Sequence, residues 1–372
     1  RQWGVHAAGV IMSSEPLIDV IPLLKRPADG AMITQFDYPT CEGLGLIKMD
    51  FLGLRNLTVM DDAVKNIKAN RGEDVVLEEL PLTDPATYAL LQRGDTLGVF
   101  QLDGGPMRAL LRSMRPDTFE DISAVGALYR PGPMEKIPTY IARKNGREPV
   151  NYDHPDMESS LAETYGVMVY QEQVMSVAQK LAGFSLGQAY TMIKAISKKK
   201  TEQMAEMKKD FISGCKERGV DQRTADKIFS DIAVFAGYGF NRSHSAPYSE
   251  IAYKNAYLKA NYPKQYMAAS LTVARDNTDT LTVLLDECRR MEIEVLPPDI
   301  NGSALNFTPT GDGIRFGLAA IKNVGAGAAQ SVVDARLQGG EFSTLLEFCE
   351  RVDLRSVNRR VMESLVAAGA LV

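Results

Sequence analysis

A basic and an acidic side chain lie two residues apart near the start of the chain. The run Gly45-Leu46-Ile47-Lys48-Met49-Asp50-Phe51 predicts a strand, and alternation along a strand puts Lys48 and Asp50 on one face. A carboxylate at a strand end is a good ligand for a hard cation, and the lysine could meet a phosphate on that cation. Taken alone, the pattern favours a simpler interpretation, an exposed ion pair on a half-buried strand.

Basic residues are concentrated in two later stretches. Residues 193–210 carry more basic than acidic side chains, with lysines at Lys194, Lys198, Lys199, Lys200, Lys208 and Lys209. Residues 240–248 contain Arg242 and His244 and lead into a predicted helix that bears Tyr253, Lys254, Tyr257, Lys259 and Tyr262. Interleaved basic and aromatic residues suit a polyanion with stackable bases, although one such run is usually a solvated helix face. Two runs favour a phosphate-rich ligand.

A glycine-rich turn near the C-terminus forms a third candidate site. The string Ile321-Lys322-Asn323-Val324-Gly325-Ala326-Gly327 separates two short helical patterns. Gly325 and Gly327 could let successive N–H groups point the same way at a helix start, where a DNA phosphate can sit. The pattern predicts a helix-hairpin-helix element that contacts the DNA backbone without sequence preference. Residues 342–351 and 357–368 resemble a degenerate partner hairpin.

Composition restricts the class of protein. The 372 residues have a net charge of −5 and are 45% hydrophobic, which indicates a folded globular protein with two or three domains. The four cysteines form no CxxC pair, and the three histidines are scattered, so a zinc site and a metal-dependent phosphoesterase are both disfavoured. The sequence also predicts a cytoplasmic protein without a membrane span. A start at Arg1 suggests a piece of a longer chain.

Three domains are predicted along the sequence. Residues 1–57 contain short β-prone runs expected to form one sheet, residues 58–295 are mostly helical, and residues 296–372 hold the hairpin element. Apolar spacing predicts helix over residues 103–115, 160–183 and 199–219. The Pro-Gly-Pro string after Arg130 must interrupt a helix. The expected fold class is mixed α+β, mostly α.

Several ordered strings resemble the family of bacterial DNA polymerase III alpha subunits over nearly the whole chain. They are Gly4-Val5-His6-Ala7-Ala8-Gly9, Lys48-Met49-Asp50-Phe51-Leu52-Gly53-Leu54-Arg55, Gly98-Val99-Phe100-Gln101-Leu102, Tyr129-Arg130-Pro131-Gly132-Pro133, Tyr170-Gln171-Glu172-Gln173-Val174-Met175, residues 235–244 and Leu296-Pro297-Pro298-Asp299-Ile300-Asn301. The resemblance implies the C-terminal part of a polymerase-beta-like nucleotidyltransferase palm, helical fingers and a helix-hairpin-helix element.

The resemblance also implies a two-metal mechanism of nucleotide addition. Asp50 matches one of three aspartates that bind two Mg²⁺ ions in the family, and the other two are expected upstream of residue 1. The chain alone is therefore expected to be inactive. The candidate nucleotide-binding residues are Lys48, Lys194, Lys198, Lys199, Arg130 and His244, and the candidate DNA-binding residues are Arg242, Lys254, Lys322, Gly325 and Gly327.

The chain departs from the family pattern at two places. Residues 189–195 read Ala-Tyr-Thr-Met-Ile-Lys-Ala where the family commonly has Ala-Asp-x-Leu-Arg-Arg-Ala, so Ile193 and Lys194 replace arginines expected at the triphosphate. Lys198 or Lys199 would then have to substitute. Residues 103–107 also differ from the usual Glu-Ser-x-Gly-Met. Both departures suggest a divergent member of the family.

The expected partners are primer-template DNA and deoxynucleoside triphosphates, with a sliding clamp and other replisome subunits bound through the full-length chain. An alternative function is a non-catalytic module that binds duplex DNA through residues 303–372. The alternative predicts tolerance of Asp50→Asn and a steep salt dependence of DNA binding.

Overall fold

The chain folds into two units, Arg1–Arg55 and Asn56–Val372. The computed structural model describes residues 5–6, 8–197 and 201–371. Each unit is described separately below.

The first unit contains short strands and helices around a small apolar core. Its buried core residues are Ile21, Cys41 and Leu46, with Ile11, Leu17 and Leu23 packed against them. Asp37 caps the second helix by accepting a hydrogen bond from the Thr40 N–H. The elements are β1 (Gly9–Met12), α1 (Leu17–Val20), β2 (Leu23–Lys25), β3 (Met32–Thr34), α2 (Tyr38–Gly43) and β4 (Ile47–Asp50).

The single sheet expected for this region is wrong, because the structure has two separate two-stranded antiparallel sheets. β1 pairs with β4, while β2 pairs with β3. The second pair is a local hairpin: Gly30 has a φ of +74°, and the Arg26 N–H donates to the Ala31 carbonyl at 2.9 Å. A short local connection of this kind joins two strands that are adjacent in the sequence, and here β2 and β3 pair with each other.

The second unit is mainly helical, as predicted, so the mixed α+β, mostly α fold class is confirmed. Its helices are α3 (Arg55–Arg71, which starts at the unit boundary), α4 (Pro85–Arg93), α5 (Gly105–Met114), α6 (Phe119–Leu128), α7 (Ile137–Lys144), α8 (Glu158–Leu161), α9 (Gln171–Ala182), α10 (Leu186–Ser197), α11 (Thr201–Glu217), α12 (Gln222–Ala236), α13 (Arg242–Asn261), α14 (Pro263–Ala274), α15 (Thr278–Arg290), α16 (Ala326–Gly339), α17 (Leu345–Arg351) and α18 (Arg359–Ala367). Short 3₁₀ turns occupy Leu77–Glu79, Pro133–Lys136, Pro155–Met157, Ala162–Thr164 and Leu318–Ala320.

A small sheet precedes the C-terminal helices. It comprises β5 (Glu294–Leu296), β6 (Thr308–Pro309) and β7 (Gly313–Arg315) in the order β5-β7-β6. β5 runs parallel to β7, and β6 runs antiparallel to it. Ile314 is fully buried in the core shared by α3, α14 and α15, so this sheet closes one side of that core.

Four apolar cores hold the second unit together. One joins α4, α5, α6 and α13, and a second lies among α9, α10, α11 and α12. A third combines α3, α14 and α15 with the small sheet, and a fourth joins α16, α17 and α18. The helices around each core therefore have fixed relative positions, which matters most for α6 and α13 because both carry candidate site residues.

The helix expected over residues 160–183 is interrupted. Tyr165 and Gly166 both have positive φ, at +54° and +75°, and the chain then runs extended to Tyr170 before α9 begins. A helix cannot continue through two consecutive left-handed residues. The extended piece forms a parallel bridge between Tyr170 and Phe240, and this bridge fixes the segment that leads into α13.

A buried carboxylate ties α6 to its neighbours. The side chain of Asp121 is 1% exposed and accepts hydrogen bonds from Tyr140 Oη at 3.0 Å and from the Asp117 N–H at 3.1 Å. Lys144 Nζ lies 2.7 Å from the same carboxylate and is itself only 4% exposed. Burial disfavours the ionised form, but the bonds from Lys144 and Asp117 outweigh it and hold the pKa of Asp121 below its ordinary value.

We expect Asp121→Asn to lower the free energy of unfolding by about 2–4 kcal/mol, because it removes the buried one of the two carboxylates that face Lys144 and leaves only the exposed Asp117. The lowered pKa means that this contribution is complete above the unfolded-state value of about 3.9 and is lost as the pH falls through the folded-state value. Urea unfolding of both proteins measures the difference. Asp61→Asn, which removes an exposed partner of Lys65, is the matched control and should change little. Equal stabilities of the native and Asp121→Asn proteins at pH 7 would contradict the prediction.

Candidate functional site

Lys48 and Asp50 lie on the same face of β4, as alternation predicted. Lys48 Nζ is 2.9 Å from the Asp50 carboxylate, so the two side chains form an ion pair. The lysine side chain is 20% exposed and the aspartate 53%. The opposite face of the β1–β4 pair is apolar and exposed in this unit, with Val10, Met12, Ile47 and Met49 each more than two-fifths exposed.

The β1–β4 register brings two further residues to Asp50. Gly9 lies directly opposite Asp50, and His6 Nδ1 is 3.6 Å from the Asp50 carboxylate. His6 Nδ1 also accepts the Gly9 N–H at 2.6 Å. A Cβ on Gly9 would lie 2.7 Å from Lys48 Cε and 3.0 Å from Asp50 Oδ1. Glycine therefore leaves the room that the Lys48–Asp50 pair occupies.

Asp50 fits one ligand position of a Mg²⁺ site. Mg²⁺ is usually held by one or two carboxylates together with water and substrate phosphates, and the half-exposed Asp50 carboxylate can meet such a cation. Among residues 5–6, 8–197 and 201–371, no three His, Cys, Asp or Glu side chains are grouped closely enough to hold a metal ion. Further ligands would have to come from other groups.

In the second unit, Arg130 is held in one orientation at the end of α6. Its Nε donates to the Ala127 carbonyl and its Nη2 to the Tyr238 carbonyl, both at 2.9 Å. The guanidinium also lies over the ring of Phe240, at 4.3 Å from the ring centroid. Partial burial lowers the pKa of Arg130 from its ordinary value. Arginine stays protonated at neutral pH regardless, so the site presents a fixed positive charge.

Arg130 and His244 line one cleft of about 330 Å³ although 114 positions separate them in the sequence. We call it the Arg130 cleft, and its lining includes Gln101, Gly126, Arg130, His244 and Tyr248. Asn241 caps α13 by accepting the His244 N–H at 3.0 Å, which sets the first turn of that helix.

An aromatic row follows the Arg130 cleft. The ring of His244 is 5.6 Å from Phe240 and 4.6 Å from Tyr248, and Tyr248 is 5.8 Å from Phe100. His244 and Tyr248 are one helical turn apart on α13, and Phe240 lies in the bridged segment just before that helix. A flat ligand with negative charge suits a cleft that combines a fixed guanidinium with neighbouring aromatic rings.

Ile193, where the sequence departs from the family pattern, occupies a core position. Ile193 is 3% exposed and packs between α9, α11 and α12, whereas Lys194 is exposed and its ammonium lies 4.7 Å from the Tyr190 ring centroid. Only Lys194 of these two could meet a phosphate, so binding by this residue stays a prediction. Lys198 and Lys199 lie outside the described residues.

Arg242 and Lys254 already have acidic partners within the second unit. Arg242 Nη1 donates to Glu163 at 2.7 Å, and Lys254 Nζ pairs with Glu250 at 2.7 Å on the same helix. The Lys254 side chain is only 13% exposed, while Arg242 is 46% exposed. DNA contact by either residue would have to compete with these pairs, and it stays a prediction.

The C-terminal hairpin forms at the predicted place. Its left-handed residue is Asn323, with a φ of +68°, whereas Gly325 has a φ of −72° and Gly327 lies inside α16. Both glycines lie at a helix start, as the sequence predicted, and contact with a phosphate there stays a prediction. A Cβ on either glycine would meet nothing within 4 Å, so glycine there leaves an open surface above the start of α16. Lys322 is exposed beside it.

The start of α16 presents unpaired backbone donors. Gly325 is its N-cap and supplies no side-chain hydrogen bond. The first N–H groups of a helix have no partner within the helix, and together with the helix dipole they attract anions. α17 and α18 form a second helical pair, and the α18 cap is occupied by the Asn358 side chain. The first hairpin is thus the more open to a phosphate.

Three residues near these sites were missed by sequence reasoning. His6 and Gly9 are brought to Asp50 by the pairing of β1 with β4, and Gln101 lies in the Arg130 cleft. All three belong to strings that resemble the family pattern, and this resemblance was the only sign of them in the sequence. Their proximity to the other site residues depends on long-range pairing that no local pattern shows.

None of the helices in the described part of the chain is long and apolar enough to cross a membrane.

Three protein families match successive parts of the chain. Residues 1–53 match the family described as "Bacterial DNA polymerase III alpha NTPase domain", and residues 56–219 match "Bacterial DNA polymerase III alpha subunit finger domain". Residues 292–372 match "Helix-hairpin-helix motif", which confirms the predicted hairpin element.

Curated relatives are similar over the whole chain. The DNA polymerase III subunit alpha of Mycobacterium tuberculosis is 52% identical over 376 residues, that of Thermus aquaticus 48% over 376, and that of Pseudomonas aeruginosa 44% over 383. Each alignment covers 100% of this chain and 31–33% of the relative. The chain thus spans about a third of the length of these relatives. On this similarity and on the three matching domains, the chain belongs to the family of bacterial DNA polymerase III alpha subunits.

Proposed function

We propose that the chain is the part of a replicative DNA polymerase that supplies one catalytic carboxylate, a nucleotide-binding cleft and a DNA-binding hairpin. The observation that carries the proposal is 44–52% identity to DNA polymerase III alpha subunits over the whole chain. The reaction is template-directed addition of deoxynucleotides to a primer. The proposed boundaries are residues 1–57 for the palm part, 58–295 for the fingers and 296–372 for the hairpin element.

In the first unit, Asp50 is the proposed ligand of the catalytic Mg²⁺ ions. Bound Mg²⁺ would make the primer hydroxyl a better nucleophile and neutralise charge on the leaving pyrophosphate. Asp50 would present its carboxylate to the ions from the end of β4. Lys48 would leave its ion pair with Asp50, and its ammonium would bind a triphosphate oxygen. Gly9 keeps the space above both side chains open. The remaining carboxylates of a two-ion site are proposed to come from the longer polymerase.

In the second unit, the Arg130 cleft is the proposed binding site for the incoming nucleotide. Arg130 is oriented by two carbonyl acceptors and still has free N–H groups, which suits bidentate binding of a phosphate. His244 lines the same cleft, with its ring in contact with those of Phe240 and Tyr248, and it is proposed to contact the nucleotide. Lys194, Lys198 and Lys199 are proposed as further phosphate contacts, although the last two lie outside the described residues.

Primer-template DNA is the proposed polymeric partner. Lys322 and the open N-terminus of α16 at Gly325 and Gly327 suit one backbone phosphate, and Arg242 and Lys254 are proposed as secondary contacts. Binding of a sliding clamp and other replisome subunits, and a place in the cytoplasm, are proposed for the full-length polymerase.

A primer-extension assay with Mg²⁺ and all four deoxynucleotides tests this function. The full-length polymerase that contains the chain should extend a primer, and the 372-residue chain alone should not, because the residues described here supply one carboxylate and no three-ligand metal group. Failure of the full-length polymerase would contradict the function, whereas extension by the chain alone would contradict its dependence on other carboxylates.

A second candidate function is duplex-DNA binding without catalysis, favoured by the match of residues 292–372 to a helix-hairpin-helix family and by the open start of α16. This function needs neither Asp50 nor the Arg130 cleft. It predicts full DNA binding by the chain and no effect of either site on any activity.

Lys322→Ala should weaken duplex-DNA binding about 3–10-fold and reduce the slope of log affinity against log salt by about 1. The reason is the loss of one exposed ammonium beside the α16 N-terminus. Fluorescence anisotropy at several salt concentrations measures both quantities. Lys65→Ala on α3 is the control, because its ammonium is 67% exposed and belongs to an ion pair away from the hairpin. An unchanged salt slope in Lys322→Ala would remove the hairpin from the DNA interface.

A further inference from the structure

Gln101 is one of few residues other than glycine with a positive φ among those described, and it lies in the Arg130 cleft. Its φ is +58°, and it occupies the third position of a turn closed by the Leu102 N–H, which donates to the Val99 carbonyl at 3.1 Å. Glycine or asparagine is favoured at such a position, because a side chain there is strained. A strained residue persists only where its surroundings hold it, and such residues are often found at ligand sites.

The segment around Gln101, residues 95–102, is held by buried polar groups. Lys259 Nζ, on a side chain that is fully buried, donates to the Asp95 and Leu97 carbonyls at 2.8 Å each. Tyr266 Oη donates to the Gly98 carbonyl at 2.9 Å. These bonds satisfy the backbone carbonyls of residues 95, 97 and 98 from the inside and hold the segment in place.

The tip of this segment faces the cleft. Val99 and Leu102 are buried anchors at 0% and 2% exposure, so the two residues between them are held outward. The Phe100 ring packs on Tyr248 of α13, while Gln101 is exposed and lines the cleft. Within the described part of the chain, the Gln101 amide takes part in no hydrogen bond.

The opposite wall of the cleft leaves space for a ligand. Gly126 lies in the middle of α6, where glycine is unfavourable, and a Cβ on it would meet nothing within 4 Å. The cleft therefore combines the charged group of Arg130 with the neutral side-chain amide of Gln101, which both donates and accepts hydrogen bonds. A phosphate suits the guanidinium, whereas the amide suits the hydrogen-bonding edge of a base.

We propose that Gln101 is held in its strained turn so that its side-chain amide hydrogen-bonds the edge of a nucleotide base in the Arg130 cleft. Lys259 and Tyr266 are positioning residues that hold the turn from below. This inference rests on the proposed nucleotide-binding function of the cleft. The base belongs either to the incoming nucleotide or to the template.

Two variants distinguish the contribution of the Gln101 amide from that of its strained backbone. Gln101→Leu keeps the strained backbone and removes the amide, and Gln101→Gly removes the side chain and the strain together. Both should raise the KM for deoxynucleotides about 5–20-fold, the value of one or two neutral hydrogen bonds, with kcat changed less than about 2-fold. Glu292→Gly is the matched control, because Glu292 is also exposed with a φ of +58° but lies after α15. Its KM should equal that of the native protein.

Thermal unfolding of the 372-residue chain checks the strain. Gln101→Gly and Glu292→Gly make the same backbone change, so their melting temperatures should shift in the same direction and agree within about 2 °C. A large loss of melting temperature in Gln101→Gly alone would indicate that the side chain is structural, and it would overturn the inference.

Base analogues identify which base the Gln101 amide contacts. Steady-state extension by the full-length polymerase is measured with a difluorotoluene nucleotide, a base shape without hydrogen-bonding groups, either as the triphosphate or in the template. The Gln101→Leu penalty should vanish with one of these two placements, and that placement identifies the base. A penalty that persists with both placements, or the absence of a penalty with natural bases, overturns this inference and leaves the proposed function unaffected. Absence of extension by the native polymerase overturns the proposed function and this inference with it.

Discussion

Asp50→Asn in the full-length polymerase is expected to reduce primer extension by on the order of 10³-fold while leaving DNA affinity unchanged. Asparagine keeps the shape of the side chain at the end of β4 but replaces an anionic oxygen by a neutral amide group. A hard cation loses both a ligand and its charge, while groups that contact DNA are untouched. Steady-state extension and DNA anisotropy, measured on the same preparations, give the two quantities.

The ion-pair interpretation of Lys48 and Asp50 makes a different prediction for the same assay. An ion pair with one partner 53% exposed contributes little, so Asp50→Asn and Lys48→Met would then have equally small effects. Asp19→Asn on α1 controls for loss of an exposed acidic charge in the same unit. Small and equal effects of the two variants at the pair would contradict a catalytic role for Asp50.

Arg130→Ala is expected to reduce kcat/KM for deoxynucleotides by about 10²-fold. The substitution removes the fixed positive charge of the cleft and the group that stacks on Phe240. Arg130→Lys should recover little of the loss, because an ammonium cannot donate to the Ala127 and Tyr238 carbonyls and also bind a phosphate in bidentate fashion. Steady-state kinetics with each deoxynucleotide measures the change.

Arg147→Ala, on an exposed arginine after α7, is the control for loss of charge from this unit and should behave as the native protein does. If Arg130→Lys restores full activity, the geometry of the guanidinium is irrelevant and only its charge matters. If Arg130→Ala leaves kcat/KM unchanged, the Arg130 cleft does not bind the nucleotide.

Local patterns predicted much of the fold correctly because they depend on neighbouring residues. The alternation that puts Lys48 and Asp50 on one face is confirmed by their 2.9 Å contact. The Pro-Gly-Pro string after Arg130 does end α6, and the chain continues as a short 3₁₀ turn. In both cases a dihedral preference or a period of two decides the outcome without any tertiary contact.

Long-range pairing could not be predicted in the same way. The two separate small sheets of the first unit depend on the turn at Gly30, which competes with pairing across the unit. Arg130 and His244 meet because α6 and α13 share a core, and Gln101 joins them through buried bonds from Lys259. Each of these contacts joins residues far apart in sequence, where no periodicity carries information.

The hairpin shows that a local pattern can predict a turn without identifying the residue that makes it. The glycine-rich string predicted glycines at a helix start, and Gly325 and Gly327 do lie at the start of α16, whereas the residue with a positive φ in the turn is Asn323. Asparagine tolerates this conformation better than other side chains do. Likewise, Ile193 appeared to be a lost phosphate contact but is a buried core residue of α10.

A change of metal preference tests most directly whether Asp50 binds the catalytic ions. Asp50→Cys puts a softer thiolate at the end of β4, and such a ligand favours Mn²⁺ over Mg²⁺ more strongly than a carboxylate does. Extension by the full-length polymerase is measured in each metal, and the native protein provides the reference ratio of the two rates. We expect the Mn²⁺-to-Mg²⁺ ratio to rise about 100-fold or more in Asp50→Cys. A ratio equal to that of the native polymerase would contradict the assignment of Asp50 as a metal ligand.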